Sequence, residues 1–299
     1  MKRKLNILVA CEESQACCRA FRALGHNAYS CDLFDCSGTI FGTDIKEPHP
    51  EWHFNHDVTK VLDKTDLMLQ NGDVAIINGD WDIMIGHPPC TYLAVSGAQW
   101  YYHPDDKHLP IEQRRPHPKF PNRAKDREAG AAFFMLLANA NVKRIAIENP
   151  VGVMSTRWRK ADQSIQPYMF GDPFSKNTCL WLKNLKPLHP SKPTDDKGER
   201  IQFKSGKSQP KWYSDALSKA KSTEERRTLR SKTFPGIARA IAEQWTIQIA
   251  LEENLLDKEE MAILGKNYVT LDANKVEDLV KIEEREQALI KYWLSTESE

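Results

Sequence analysis

The stretch Leu5-Asn-Ile-Leu-Val-Ala-Cys-Glu-Glu-Ser-Gln-Ala-Cys-Cys-Arg-Ala-Phe-Arg-Ala-Leu-Gly-His-Asn-Ala-Tyr-Ser-Cys-Asp32 decides the fold. Leu5 to Ala10 is apolar and β-prone and reads as a first buried strand. Ser14 to Leu24 has helical character, Gly25 ends it, and Ala28 to Cys31 forms a second strand closing on Asp32. Strand, helix and strand in so short a span make a βαβ unit, which requires a parallel sheet.

Further along, Val74 to Ile77 and Asp82 to Ile85 are short apolar runs, Gly130 to Ala140 is a buried helix, and Arg144 to Ile147 is another strand. Ala98 to Arg127 holds five prolines with Trp100, Tyr101 and Tyr102. Without sustained periodicity it is a long loop, and long loops in compact domains often carry function. Lys183 to Lys232 is Pro-, Lys- and Ser-rich at first, then helix-like from Ser214 to Arg230. Ile237 to Leu251 is an apolar-faced helix, and the acidic tail reads as two or three surface helices, dispensable for chemistry.

The 299 residues suffice for one large α/β domain with insertions, or for two domains. No apolar run is long enough to cross a membrane as a helix. The opening is basic, but its apolar run, Ile7 to Cys11, is broken at once by Glu12 and Glu13, too short for a secretory signal. The expected location is the cytoplasm. Seven cysteines without CxxC spacing or a matching His pair imply free thiols and no metal site. The net charge of +1 hides an asymmetry: Lys183 to Lys232 has 14 basic and 6 acidic residues, and Leu251 to Glu299 has 13 acidic and 6 basic. The basic segment suits a polyanion, although such surfaces also occur without one.

Two strand ends carry chemistry. In Asp82-Ile-Met-Ile-Gly-His-Pro-Pro-Cys90 a strand runs into Gly and two prolines, which present a cysteine at its carboxyl end, where open α/β sheets bind ligands. Taken alone, Cys90 also suits a buried structural thiol. In Ile145-Ala-Ile-Glu148-Asn149-Pro150 a second strand ends in a carboxylate and an amide; alone, that Glu also suits a solvated cap. Together, thiol and carboxylate form a pair able to attack and protonate a heterocycle. Asp82 orients its strand and has no chemical role.

In this order the features resemble the cytosine carbon-5 DNA methyltransferases, most closely the small members encoded by bacteriophages and prophages. GHPPC resembles their Pro-Cys motif, and Glu148-Asn149-Pro150 their Glu-Asn-Val motif. Arg127-Glu-Ala-Gly130-Ala-Ala-Phe133-Phe134 is similar to the helix-opening motif between them. Asn55-His-Asp57-Val-Thr59 resembles the motif whose acid reads the adenine amino group, and Asp32 lies where an acid holds the ribose. Gly171-Asp-Pro173-Phe-Ser-Lys176-Asn-Thr178 is similar in position to the Gln-x-Arg-x-Arg motif, and Phe234-Pro-Gly236 opens a helix like the family's last. The likeness covers roughly residues 5 to 182 and 231 to 247. Three departures stand out: the first loop lacks its glycines, Thr91 replaces Gln after the nucleophile, and Lys176 and Thr178 replace arginines.

The resemblance implies a Rossmann-like α/β methyltransferase fold with a mostly parallel sheet. Its catalytic domain spans 1–182 and 231–250, a short basic insert spans 183–230, and an acidic helical extension spans 251–299. It implies S-adenosylmethionine as cofactor, held by Glu12, Ser14, Asp32, Asp57 and Pro88. Cys90, Glu148 and Asn149 are the implied catalytic residues, and Pro89, Lys176, Thr178 and Arg127 the substrate contacts. The implied partner is DNA, single-stranded or with a flipped cytosine. Trp212 and Tyr213 either stack on bases or anchor a solvated basic surface. Two other readings compete: a pyrimidine mononucleotide enzyme using the same Cys/Glu chemistry, and a non-catalytic binding protein on a degenerate fold.

Overall fold

The computed structural model describes residues 1–222, 225 and 229–296. Seven strands form one sheet: β1 (Asn6–Ala10), β2 (Asn27–Asp32), β3 (His53–Asn55), β4 (Ile83–Gly86), β5 (Ile145–Pro150), β6 (Gln163–Ile165) and β7 (Thr178–Lys183). Their order is β3-β2-β1-β4-β5-β7-β6. β1 to β5 are parallel, and β7 lies antiparallel between β5 and β6. The order reverses between β1 and β4, which makes that junction the topological switch point, with its crevice at the strands' carboxyl ends. This is the Rossmann-like α/β fold with a mostly parallel sheet that the sequence implied.

The helices are α1 (Ala16–Ala23), α2 (Val58–Leu62), α3 (Arg123–Ala138), α4 (Met154–Arg157), α5 (Lys211–Lys219), α6 (Pro235–Glu252), α7 (Lys258–Leu264) and α8 (Val276–Thr296). β1 shows why both sheet faces must be covered. Ile7 and Val9 join Phe21 of α1 and Trp245 and Ile249 of α6 in one core; Leu8 and Ala10 join Phe134 and Leu137 of α3 in the other. Alternate side chains point to opposite faces, and a parallel strand buried on both is apolar throughout. Gly86 is the last residue of β4, packed so closely that a Cβ there would lie 2.8 Å from Ile147 Cδ1. Asp82 accepts from the Asn6 amide at 2.8 Å and pairs with Arg3, tying the start of β4 to β1. The apolar run 74–77 does not join the sheet; Val74 and Ile76 are exposed.

The insert contains a hairpin of β8 (Arg200–Gln202) and β9 (Ser208–Pro210), followed by α5. The helix expected from Ser214 to Arg230 begins earlier, at Lys211, and α5 ends at Lys219; residues 223, 224 and 226–228 lie outside the described residues. The acidic tail departs from expectation. Leu264, Leu289, Ile290 and Trp293 belong to the same core as β1 and α6. Its acids are used inside: Glu260 binds the Met1 amino group at 2.5 Å and the Trp293 indole at 2.6 Å, and Glu286 accepts from His189 at 2.9 Å. Each buried apolar side chain contributes roughly 1.5–3 kcal/mol, so removing the tail opens the main core. The final residues, 297–299, lie outside the described residues. Among the described residues no helix is long and apolar enough to cross a membrane.

Candidate active site

Pro88 and Pro89 cannot continue the β4 ladder, so the chain leaves the sheet after the His87 amide donates to Ala10 O at 2.9 Å. The turn is then fixed from β5. The Asn149 amide, 2% exposed, donates to Pro88 O at 2.8 Å. The amides of Leu93 and Ala94 donate to Cys90 O at 3.0 and 2.9 Å. Beyond it the loops after β4 and β5 zip together: Val153 N donates to Leu93 O and Val95 N to Val151 O, both at 2.9 Å. Gly152 permits this approach, since a Cβ there would lie 2.1 Å from Leu93 O. Cys90 is thus positioned against the end of β5. It and Cys11 are half-buried, whereas Cys17, Cys18, Cys31, Cys36 and Cys179 are buried.

Glu148 collects the polar groups. Nδ1 of His87 donates to its Oε2 at 3.1 Å. Burial alone would raise its pKa, but the Lys176 charge, the His87 hydrogen bond and charge, and the Thr178 hydroxyl together hold it below the ordinary carboxylate value. The Cys90 thiol is pushed up, first by burial and then by the field of Glu148, with Lys176 and Arg230 opposing. Lys176 reaches this position from the segment entering β7, its Nζ 3.4 Å from Lys232 O and 5.8 Å from the Phe234 ring centroid. The structure therefore gathers Glu148, Lys176 and Thr178, with the fields of Glu148 and Lys176 reaching Cys90. Arg127 is committed elsewhere: it stacks 4.6 Å from the Tyr101 ring and donates to the Tyr102 hydroxyl at 3.2 Å.

The residues expected at the cofactor divide. Glu12 turns inward, 4% exposed, and accepts from the Cys17 and Cys18 amides at 2.7 and 3.2 Å, satisfying the first turn of α1. Burial raises its pKa against His87 and those amides. Ser14 is buried beside it. Neither lines the cavity at the ends of β2 and β3. Asp32 ends β2 and accepts from Phe34 N at 3.2 Å; Asp57 caps α2, accepting from Thr59 N at 2.9 Å. The cavity at the ends of β2 and β3, about 450 Å³, is lined instead by Asp35, Asn55, His56, Met68, Leu69 and Gln70. Asn55 begins the motif that contains Asp57, and Asp35 follows Asp32 by three. His87 was read only as part of a turn. Glu12, Cys17 and His87 have ligand-type atoms within 4.8 Å of one another. Both Glu12 oxygens are taken by amides and Nδ1 of His87 by Glu148, so the trio is a hydrogen-bonded cluster.

In the insert, Trp212 donates to Ser175 O at 3.2 Å and packs at 5.3 Å from Phe41 and 5.7 Å from Phe234. Tyr213 is stacked by Arg230 at 4.3 Å. Trp212 is half-buried against these rings, and with Tyr213 and Lys176 it lines a cavity; Lys204 and Lys207 are exposed around the hairpin turn, and Lys211 pairs with Glu199 at 2.8 Å.

No family model and no curated protein sequence matches the chain. Among solved structures it is similar to a protein described as a DNA modification methyltransferase encoded within a prophage of Escherichia coli, with 12% identity and a TM-score of 0.32. The match covers 72% of this chain and 64% of that one, so this chain spans just under two thirds of that protein's length.

Proposed function

We propose that the chain methylates carbon 5 of cytosine in DNA, with Cys90 as nucleophile and S-adenosylmethionine as methyl donor. One observation carries this reading: the Pro-Pro-Cys turn is clamped to the β5 end that bears Glu148, itself ringed by His87, Lys176 and Thr178. The thiolate of Cys90 adds to carbon 6, and its sulfur–carbon bond forms as the 5,6 double bond opens. Glu148 supplies a proton to N3 and stabilises the addition. The field of Lys176 and the Thr178 hydroxyl favour the ionised Glu148 carboxylate, and Asn149 holds the turn. Bound S-adenosylmethionine supplies an electrophilic methyl group to carbon 5. The carbon 5 proton then leaves to water and Cys90 is eliminated.

The cavity at the β2 and β3 ends fits the nucleoside part of such a donor in size and polarity, with Asp35, Asn55, His56 and Gln70 offering donors and acceptors. The catalytic unit is 1–182 with 231–250, and segment 183–230 meets DNA through Lys204 and Lys207, in the cytoplasm of a bacterial or phage-infected cell. A free pyrimidine nucleotide is the second reading, favoured by the packing of Trp212 against Phe41 and Phe234, which occupies part of its stacking surface. Labelled cofactor offered with duplex DNA, single-stranded DNA and dCMP separates them. Label in DNA, with 5-methylcytosine by bisulfite sequencing, is expected; label in dCMP alone supports the second reading, and none in any substrate defeats both.

A further inference from the structure

His87 lies between Glu148 and Glu12, and the chemistry above assigns it no step. Its backbone is pinned to β1 by the bond to Ala10 O, and its side chain is only 9% exposed. Nδ1 donates to Glu148 at 3.1 Å, while Nε2 lies 3.9 Å from Cys17 Sγ. Behind that thiol stands the Glu12 carboxylate, held by α1 amides. The ring is gripped at both nitrogens, so Nδ1 stays aimed at Glu148. The charged and titratable groups around the pair come from every packed element: Cys17 and Glu12 from the β1–α1 segment, Asp32 from β2, Cys90 from the turn, and Lys176 from the segment entering β7.

The proposed reaction makes a demand on this arrangement. Glu148 must deliver a proton as Cys90 adds, yet Lys176, His87 and Thr178 favour its ionised form. An ammonium releases its proton only at much higher pH and a Thr hydroxyl not at all in this range, whereas imidazole exchanges one near neutrality. Resting on the reading above, we propose that His87 is a positioning residue that stores the proton Glu148 delivers to the base. As the thiolate adds, the Nδ1–H bond of the His87 imidazolium breaks, leaving a neutral ring protonated at Nε2, and a Glu148 O–H forms. That O–H breaks as N3–H forms, and N3 takes the electron pair released from the 5,6 double bond. Elimination of Cys90 reverses each transfer, so the store is refilled every turnover.

The test compares wild type with His87→Asn, whose amide replaces the Nδ1–H donor but carries no transferable proton, and with His87→Gln. Single-turnover methylation is measured from about pH 5 to 9, beside thermal unfolding and cofactor calorimetry. For His87→Asn we expect folding and cofactor affinity near wild type and a rate lower by about 100-fold at neutral pH. Its alkaline limb moves to lower pH, because the last proton now leaves a carboxyl instead of an imidazolium. A rate within about threefold of wild type, or a lowered rate with an unmoved limb, overturns the inference, since a structural role predicts the latter. Histidine-selective 15N labelling reads the same contact without turnover or a His87 variant. One hydrogen-bonded Nδ1–H signal should shift strongly in Glu148→Gln, and no change overturns the inference. Wild type that methylates nothing at any pH defeats the proposed function, while the 15N result still reports on the His87–Glu148 contact.

Discussion

Glu12 and Glu148 sit at the carboxyl ends of β1 and β5, on either side of β4, and both approach His87. Both are largely buried, Glu12 at 4% exposure and the Glu148 side chain at 14%. Their protonation is driven in opposite directions. Glu12 faces amides and a distant imidazole, burial dominates, and its pKa rises. Glu148 faces Lys176, a direct His87 bond and the Thr178 hydroxyl, and its pKa falls. The residue type and the depth are similar; the neighbouring cation decides. Glu12 is thereby suited to holding the start of α1, and Glu148 to acting on a substrate.

The same substitution at both sites should break the symmetry. Glu148→Gln keeps shape but cannot pass a proton, and single-turnover methylation should fall by about 10³-fold with thermal unfolding little changed. Residual activity near wild type would remove Glu148 from the chemistry. One residue along β5, Asn149→Ala leaves Pro88 O without its donor, costing roughly 1–3 kcal/mol of stability. The loosened turn should slow methylation by about 10-fold or more. An unfolding midpoint equal to wild type would show that the turn holds itself.

Lys176→Met removes the cation that distinguishes the two acids. Glu148 should then rise toward the behaviour of Glu12, and the alkaline limb of the rate should move to higher pH. The lowered folded pKa of Glu148 gives stability that is present above the unfolded carboxyl value, about 4.3, and lost as pH falls through the folded one. Acid titration of unfolding should therefore be flatter in this variant; an unchanged acid profile would mean that Lys176 does not govern Glu148. Glu12→Gln should have the smallest effect on rate, less than about 10-fold. Its raised pKa has the opposite sign: stability falls as pH rises through the folded value, so wild type loses more stability between mildly acidic and alkaline pH than Glu12→Gln. Equal slopes would place Glu12 in contact with solvent or ligand.

The strand ends were legible because chain-breaking residues follow apolar runs: Pro88-Pro89 after β4 and Pro150 at the end of β5 are local signals. What depends on distant partners was not. The tail reads as a solvated acidic surface by charge count, yet Glu260 and Glu286 meet Met1 and His189, which lie far off in the chain. Trp212, among lysines, looks like a stacking platform until Phe41, Phe174 and Phe234 converge beside it. Glu12 was placed at the cofactor by its position after β1, but only the structure shows its carboxylate folded back onto α1. His87 escaped notice because its partner, Glu148, is 61 residues away.

The most direct measurement uses an oligonucleotide containing 5-fluorocytosine, incubated with the protein and S-adenosylmethionine and then digested for peptide mapping. Fluorine cannot leave carbon 5 as a proton does, so the adduct formed by attack at carbon 6 persists. The account predicts a covalent complex joined through Cys90, and none with Cys90→Ser, although that variant folds and binds cofactor like wild type. No adduct with folded wild type, or an adduct through Cys11, the other half-buried thiol, would contradict it.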